Sequence, residues 1–136
     1  MIIRMQLVAL ALRAGLQSSA PLTDRFATIE ALQNGRGVSP AGRALLLQDL
    51  ASSTPGPERI KGVLPPGTSI AHKTGTDATR GGKTAATNDI GIVTLPDGRH
   101  LAIAVFVKDS TAGLVPRGAT IARIAKAAWD HWTAAR

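Results

Sequence analysis

The sequence predicts an α+β (mixed α/β) domain: helices first, then an antiparallel sheet of at least three strands, then a closing helix packed on that sheet. Three observations carry this. Apolar residues recur at helical spacing in two early segments. From Ile60 to Val107 the pattern changes to that of strands, with a turn sequence between two apolar runs. After Ala119 a helical apolar stripe returns and runs to the end.

Taken in order, Met1 to Ala20 places Arg4 ahead of Leu7-Val8-Ala9-Leu10-Ala11-Leu12 and then Ser18-Ser19-Ala20, a weak likeness to a secretory signal. Gln6 and Arg13 crowd that apolar run, and an ordinary terminal helix fits it at least as well. Leu22, Phe26, Ile29 and Leu32 then fall on one helical face, with Asn34-Gly35 as the stop. Ser39-Pro40 supplies an N-cap and a proline at the first helical position for a leucine-rich helix over Ala44 to Leu50. Pro55-Gly56-Pro57 forbids its continuation.

Strands are predicted over Thr68–Thr76, Thr87–Leu95 and His100–Lys108. The last two are joined by Pro96-Asp97-Gly98-Arg99, whose Asp-Gly pair suits a hairpin turn. Leu101, Ile103, Val105 and Val107 alternate with Ala102, Ala104 and Phe106, so this strand is apolar on both faces and predicted to be central. Asp77 to Ala85, with Gly81-Gly82 and the charges of Asp77, Arg80 and Lys83, reads as a mobile loop beside the first strand. In the last helix Ile121, Ile124, Ala125, Ala128 and Trp132 form the sheet-facing stripe.

Composition narrows the function classes. With 136 residues there is room for one moderate core, and 44% hydrophobic residues exclude a disordered chain. Sixteen Lys+Arg against nine Asp+Glu give +7, which fits an anionic partner. The basic residues are scattered, however, and Phe26, Phe106, Trp129 and Trp132 are not interleaved with them, which argues against nucleic acid. Without cysteine there is no thiolate nucleophile or disulfide, and His72, His100 and His131 lack metal-ligand spacing, so no metal or cofactor is expected. No apolar run reaches the ~20 residues that span a bilayer.

The chemistry concentrates in Ala71-His72-Lys73-Thr74-Gly75-Thr76, where an ammonium, hydroxyls and a glycine backbone meet on a predicted strand. Strand alternation puts Lys73 and Gly75 on one face and Thr74 and Thr76 on the other. Alone, the tripeptide is better explained as a charged edge strand entering a glycine turn. Its surroundings change that. The leucine-rich helix, Pro65-Pro66-Gly67, Lys73-Thr74-Gly75-Thr76, Thr87-Asn88-Asp89, Leu95-Pro96-Asp97-Gly98-Arg99 and the final helix with Trp132 together resemble, in this order, the C-terminal part of class A serine β-lactamases, within the penicillin-recognising enzymes. The likeness covers residues 29–136; residues 1–28 match poorly and read as a divergent segment or an altered start.

The resemblance implies that Lys73 places its ammonium near the carboxylate of a β-lactam substrate and the serine hydroxyl of a full site. Thr74 would donate its hydroxyl to the same carboxylate, and Thr76 its backbone N–H to the oxyanion hole, with Gly75 allowing close approach. Arg59, fourteen positions before Lys73, is either the arginine that supports carboxylate binding in some members or a surface cation. Thr87 stands where other members carry an arginine for that task, which is consistent with Arg59 substituting. His72 is expected to pack beside the site, and Asn88 and Asp89 to fix local backbone or pair with a basic residue. By resemblance the protein is periplasmic or secreted.

The departures matter as much. The residues three before the lysines are Glu58, Ile70, Arg80, Val105 and Arg123, so Ser-x-x-Lys is absent, and Ser-Asp-Asn is absent too. Glu30 and Asn34 have the spacing of the family's deacylation pair but sit at a helix end and are read as a solvated glutamate and a C-terminal asparagine. The chain is therefore expected to carry one wall of the site and to be inactive alone. Three strands with an unpaired edge are expected to be poorly stable or to self-associate. Rival readings are another penicillin-recognising enzyme, such as a peptidoglycan peptidase or transpeptidase, and a non-catalytic basic binding module.

Overall fold

The structure, a computed structural model, describes residues 5–12 and 20–134, with side chains from residue 27 onward. Its elements are β1 (Met5–Leu12), α1 (Ala20–Gln33), α2 (Pro40–Ala51), a 3₁₀ turn (Ile60–Val63), β2 (Ile70–Thr76), β3 (Thr79–Arg80), β4 (Lys83–Thr94), β5 (His100–Ser110) and α3 (Leu114–Thr133). One five-stranded sheet runs in the order β1-β5-β4-β2, with β3 paired to β4. The β2–β4 and β4–β5 ladders are antiparallel. β5 is central, as its doubly apolar pattern predicts.

The register assigns each side chain to a layer. Thr74 lies opposite Asp89 and Asp89 opposite Val105, while His72, Gly91 and Ile103 form the neighbouring row. That face, with Ile70, Val93, Leu101, Ile103 and Val105, packs under Ile121, Ala125, Ala128 and Trp129 of α3 and against Ile60 and Leu64. Each fully buried leucine or isoleucine side chain there contributes about 1.5–3 kcal/mol. The opposite face, with Ile92, Ala102 and Ala104, receives Ile29 of α1 and Leu47 of α2. The small alanines let the helices approach the sheet closely.

Local signals explain most boundaries. The Ser39 hydroxyl caps α2 by accepting from the Gly42 N–H at 3.1 Å, ahead of Pro40. The C-terminal carbonyls of α1 are capped by Arg43, which donates to Leu32 O at 3.0 Å and to Gln33 O at 2.6 Å. In the β4–β5 hairpin Gly98 adopts φ 81°, and Leu95 N donates to Arg99 O at 2.8 Å. The Arg99 backbone N–H, assisted by its guanidinium, holds the Asp97 carboxyl below the usual carboxylate range.

Three expectations are revised. The expected terminal or signal-like helix over Leu7–Leu12 is a strand: Met5 to Leu12 pairs parallel with His100 to Val107. A continuous apolar run carries no period to distinguish helix from strand, and pairing satisfies the backbone groups of β5's second edge. Ser18 and Ser19 of the signal-like pattern lie outside the described residues. The expected mobile loop Asp77–Ala85 is a short hairpin, turning at Gly81 (φ 55°) and Gly82 (φ 73°), since two adjacent glycines supply the positive φ that a tight hairpin requires.

The last helix starts at Leu114 and not near Ala119, because Pro116 is tolerated in a first turn whose amides need no helical partner. The leucine-rich α2 buries no residue fully, and Leu45 and Leu46 are exposed. Its Leu47 packs on the α1/α2 face of the sheet.

Candidate active site

Lys73, Thr74, Gly75 and Thr76 end β2, an edge strand of the sheet. Alternation holds as predicted: the β2–β4 register places Lys73 and Gly75 with Ile90 and Asn88 on the α1/α2 face, and Thr74 and Thr76 with Asp89 and Thr87 on the α3 face. Lys73 is exposed and donates to the Thr74 carbonyl at 2.7 Å. Thr76 is exposed and Thr74 half-buried. These residues form an open wall. Gly75 lies close against Asn88: a Cβ there would stand 2.7 Å from Asn88 Oδ1, and the Asn88 side chain would have to shift.

Arg59 is not a surface cation. It is 5% exposed and its guanidinium reaches the end of the Lys-Thr-Gly strand. Nη1 donates to the carbonyls of Gly75 at 2.9 Å and Asn88 at 2.7 Å, and Nη2 donates to the Thr76 hydroxyl at 2.6 Å. Its Nε lies 3.4 Å from Glu58 Oε1. One arginine thus bridges β2 and β4 and sets a positive charge directly behind Thr76. Charge-assisted donors of this kind are about twice as strong as neutral ones.

Thr87, opposite Thr76, is fully buried and accepts from Arg117 Nε at 2.8 Å. Arg117 Nη1 also donates to the Ala112 carbonyl. The sequence pattern did not single out Arg117, since it lies ahead of the apolar stripe by which α3 was recognised. Its one sequence signal is an arginine beside Pro116 and Gly118, a weak cue to burial.

His72 and Asp89 are both buried and bonded to each other, with Nδ1 2.9 Å from Oδ1. Asp89 Oδ2 also accepts from the Ile60 N–H at 3.1 Å, so the carboxylate anchors the turn that follows Arg59. Asp89 therefore fixes backbone and pairs with a basic ring, the two roles expected of it. Glu30 sits partly exposed near Arg36, at 4.0 Å, and Asn34 N donates to Glu30 O at 3.0 Å, the geometry of a helix end.

The model of the β-lactamase enzyme family matches residues 4–132. The chain is 53% identical over 93 residues to the extended-spectrum β-lactamase PER-1 of Pseudomonas aeruginosa, covering 68% of this chain and 30% of that protein. It is 42% identical over 83 residues to β-lactamase VEB-1 of the same organism, covering 61% and 28%. A β-lactamase structure from Chitinophaga pinensis superposes with a TM-score of 0.80 at 43% identity, over 82% of this chain and 41% of that one. The TLA-3 extended-spectrum β-lactamase gives 0.79 at 42% identity, over 81% and 40%. The chain spans less than half the length of each of these proteins. Sequence and fold agree, and the chain belongs to the β-lactamase enzyme family, in its class A branch.

Proposed function

We propose that these residues form the carboxylate-binding and oxyanion wall of a class A serine β-lactamase site, and that the 136 residues alone bind a β-lactam without turning it over. The observation that carries this reading is the Lys73–Thr76 edge: an exposed ammonium and exposed Thr76 on an edge strand, with the buried Arg59 guanidinium 2.6 Å from the Thr76 hydroxyl. Lys73 and Thr74 hold the substrate carboxylate. The Thr76 N–H stabilises the oxyanion, Gly75 keeps the strand flat beside it, and Arg59 adds positive potential behind. Thr87 acts from beneath by accepting from Arg117.

In the complete reaction a serine Oγ bonds to the lactam carbonyl carbon, the C–N bond breaks, and the ring nitrogen takes a proton; water then cleaves the ester. No lysine here has a serine three residues before it, so that covalent step lacks its nucleophile within this sequence. Titration with benzylpenicillin followed by NMR is expected to shift the amides of Lys73 to Thr76 in wild type and not in Lys73→Ala. Nitrocefin hydrolysis or a mass increase from acylation would overturn the inactive reading.

The free β2 edge and the exposed Leu45 and Leu46 support self-association of the isolated chain. Sedimentation velocity should show a concentration-dependent species; a monomer with a concentration-independent melt would contradict it. Periplasmic or secreted placement follows from the family reading and is tested by cell fractionation. Among the described residues no helix is long and apolar enough to cross a membrane.

A further inference from the structure

We infer that Arg117 is a second positioning residue of the anion site, acting through Thr87 on the Thr76 end of β2. The inference rests on the functional reading above and adds to it a residue on a different element, the first turn of α3.

Arg117 is 6% exposed, and both of its bonded partners, the Thr87 hydroxyl and the Ala112 carbonyl, are neutral. Among the described residues no carboxylate lies within 4.0 Å of it. A buried guanidinium without a counter-charge is costly, because desolvation is not offset by an ion pair. Nearby, Arg59 has one carboxylate, Glu58, at 3.4 Å and 35% exposed. Asp89, two residues along β4 from Thr87, is already engaged by His72 and the Ile60 N–H; of the two guanidiniums only Arg59 has a carboxylate within 4.0 Å, an imbalance that an incoming anion corrects.

Geometry directs that charge to the site. Thr76 and Thr87 are direct cross-strand partners on one face. Arg59 donates to the first hydroxyl at 2.6 Å and Arg117 to the second at 2.8 Å. A hydroxyl that accepts from a guanidinium keeps its own proton to donate, and the charged donor polarises it. Thr76 is the exposed member of the pair and offers that proton outward, while Arg117 sits dry behind it, where salt screens it little. Position 87 carries no cation of its own, and Arg117 supplies one from the helix.

The test uses the whole chain and benzylpenicillin, followed by NMR. Arg117→Gln keeps a donor for Thr87 and removes the charge; Arg117→Lys keeps the charge and loses the fork. Affinity is expected to fall roughly five- to tenfold in Gln and to stay within about twofold of wild type in Lys. A purely structural role predicts the reverse order, and Gln binding as tightly as wild type overturns the assignment. If the variants do not fold, the wild-type Arg117 Nε–Hε signal decides: it should shift with the same midpoint as the Thr76 amide, and no movement at saturation overturns the inference. Absence of any Lys73-dependent binding in wild type overturns the functional reading and this assignment with it, whereas Lys73-dependent binding indifferent to Arg117 overturns this assignment alone.

Discussion

His72 and Asp89 form a fully buried pair across the β2–β4 ladder, with Nδ1 2.9 and 3.0 Å from the two carboxylate oxygens. Each residue neighbours a cation-bearing stretch. His72 precedes Lys73, and Asp89 bonds the N–H of Ile60, which follows Arg59. The pair therefore holds together the two segments that bring positive charge to the β2 edge. Asp89→Ala leaves a buried ring N–H and a buried backbone N–H without partners, and is expected to cost about 3 kcal/mol in urea unfolding. Asp89→Asn should cost less, because its carbonyl oxygen still accepts. A loss below about 0.5 kcal/mol for Asp89→Ala would contradict the anchoring role.

Two glycines in this ladder should respond differently to alanine. At Gly91 a Cβ would stand 2.8 Å from His72 Cβ and 2.9 Å from the Ala71 carbonyl, atoms that cannot rotate away. At Gly75 the clash is with the Asn88 side chain at 2.7 Å, which can move. Gly91→Ala is expected to destabilise by about 2–3 kcal/mol and Gly75→Ala by roughly half as much. Adding Asn88→Ser should recover most of the Gly75→Ala loss, and equal costs at the two glycines would refute this account.

Lys73 and Arg59 separate binding from scaffolding. Lys73 is exposed and, among the described residues, bonds only the neighbouring Thr74 carbonyl, so Lys73→Ala should change stability by less than about 0.5 kcal/mol while abolishing penicillin-induced shifts. Arg59→Met removes three donors to buried or paired oxygens of β2 and β4, and should cost about 2–4 kcal/mol. Thermal melts and ligand titrations of the same two variants decide; a Lys73→Ala protein that melts as low as Arg59→Met would sink the distinction.

Much of the architecture was legible because its signals are local. The Ser39-Pro40 start, the Asp97-Gly98 turn and the doubly apolar β5 each follow from one residue's geometry or a period of two. The wall was legible through the resemblance around Lys73–Thr76. Non-local facts were not. The pairing of β1 with β5 depends on an edge that exists only once the sheet has formed, and an unbroken apolar run does not announce it. Burial of Arg59 and Arg117 draws on Gly75, Asn88 and Thr87, which lie 16 to 30 positions away in sequence. A lone arginine in sequence reads alike whether solvated or buried.

His100 opens β5 opposite Thr94, and its Nδ1 lies 3.3 Å from the Thr94 hydroxyl. Burial, reinforced by the positive charge of Arg43, holds its pKa below the ordinary value of about 6.5. The neutral ring is thus favoured in the folded state, and the unfolded chain binds more protons between the folded pKa and about 6.5. His100's contribution to stability is complete above that pH and is lost as pH falls through the folded value. Arg43→Gln should raise the His100 midpoint in an NMR titration without restoring it fully, because burial is the larger cause. The same change releases the Leu32 and Gln33 carbonyls from their cap and should lower stability by about 1 kcal/mol at neutral pH. A wild-type midpoint at or above 6.5 would show that neither burial nor Arg43 acts on this ring as described.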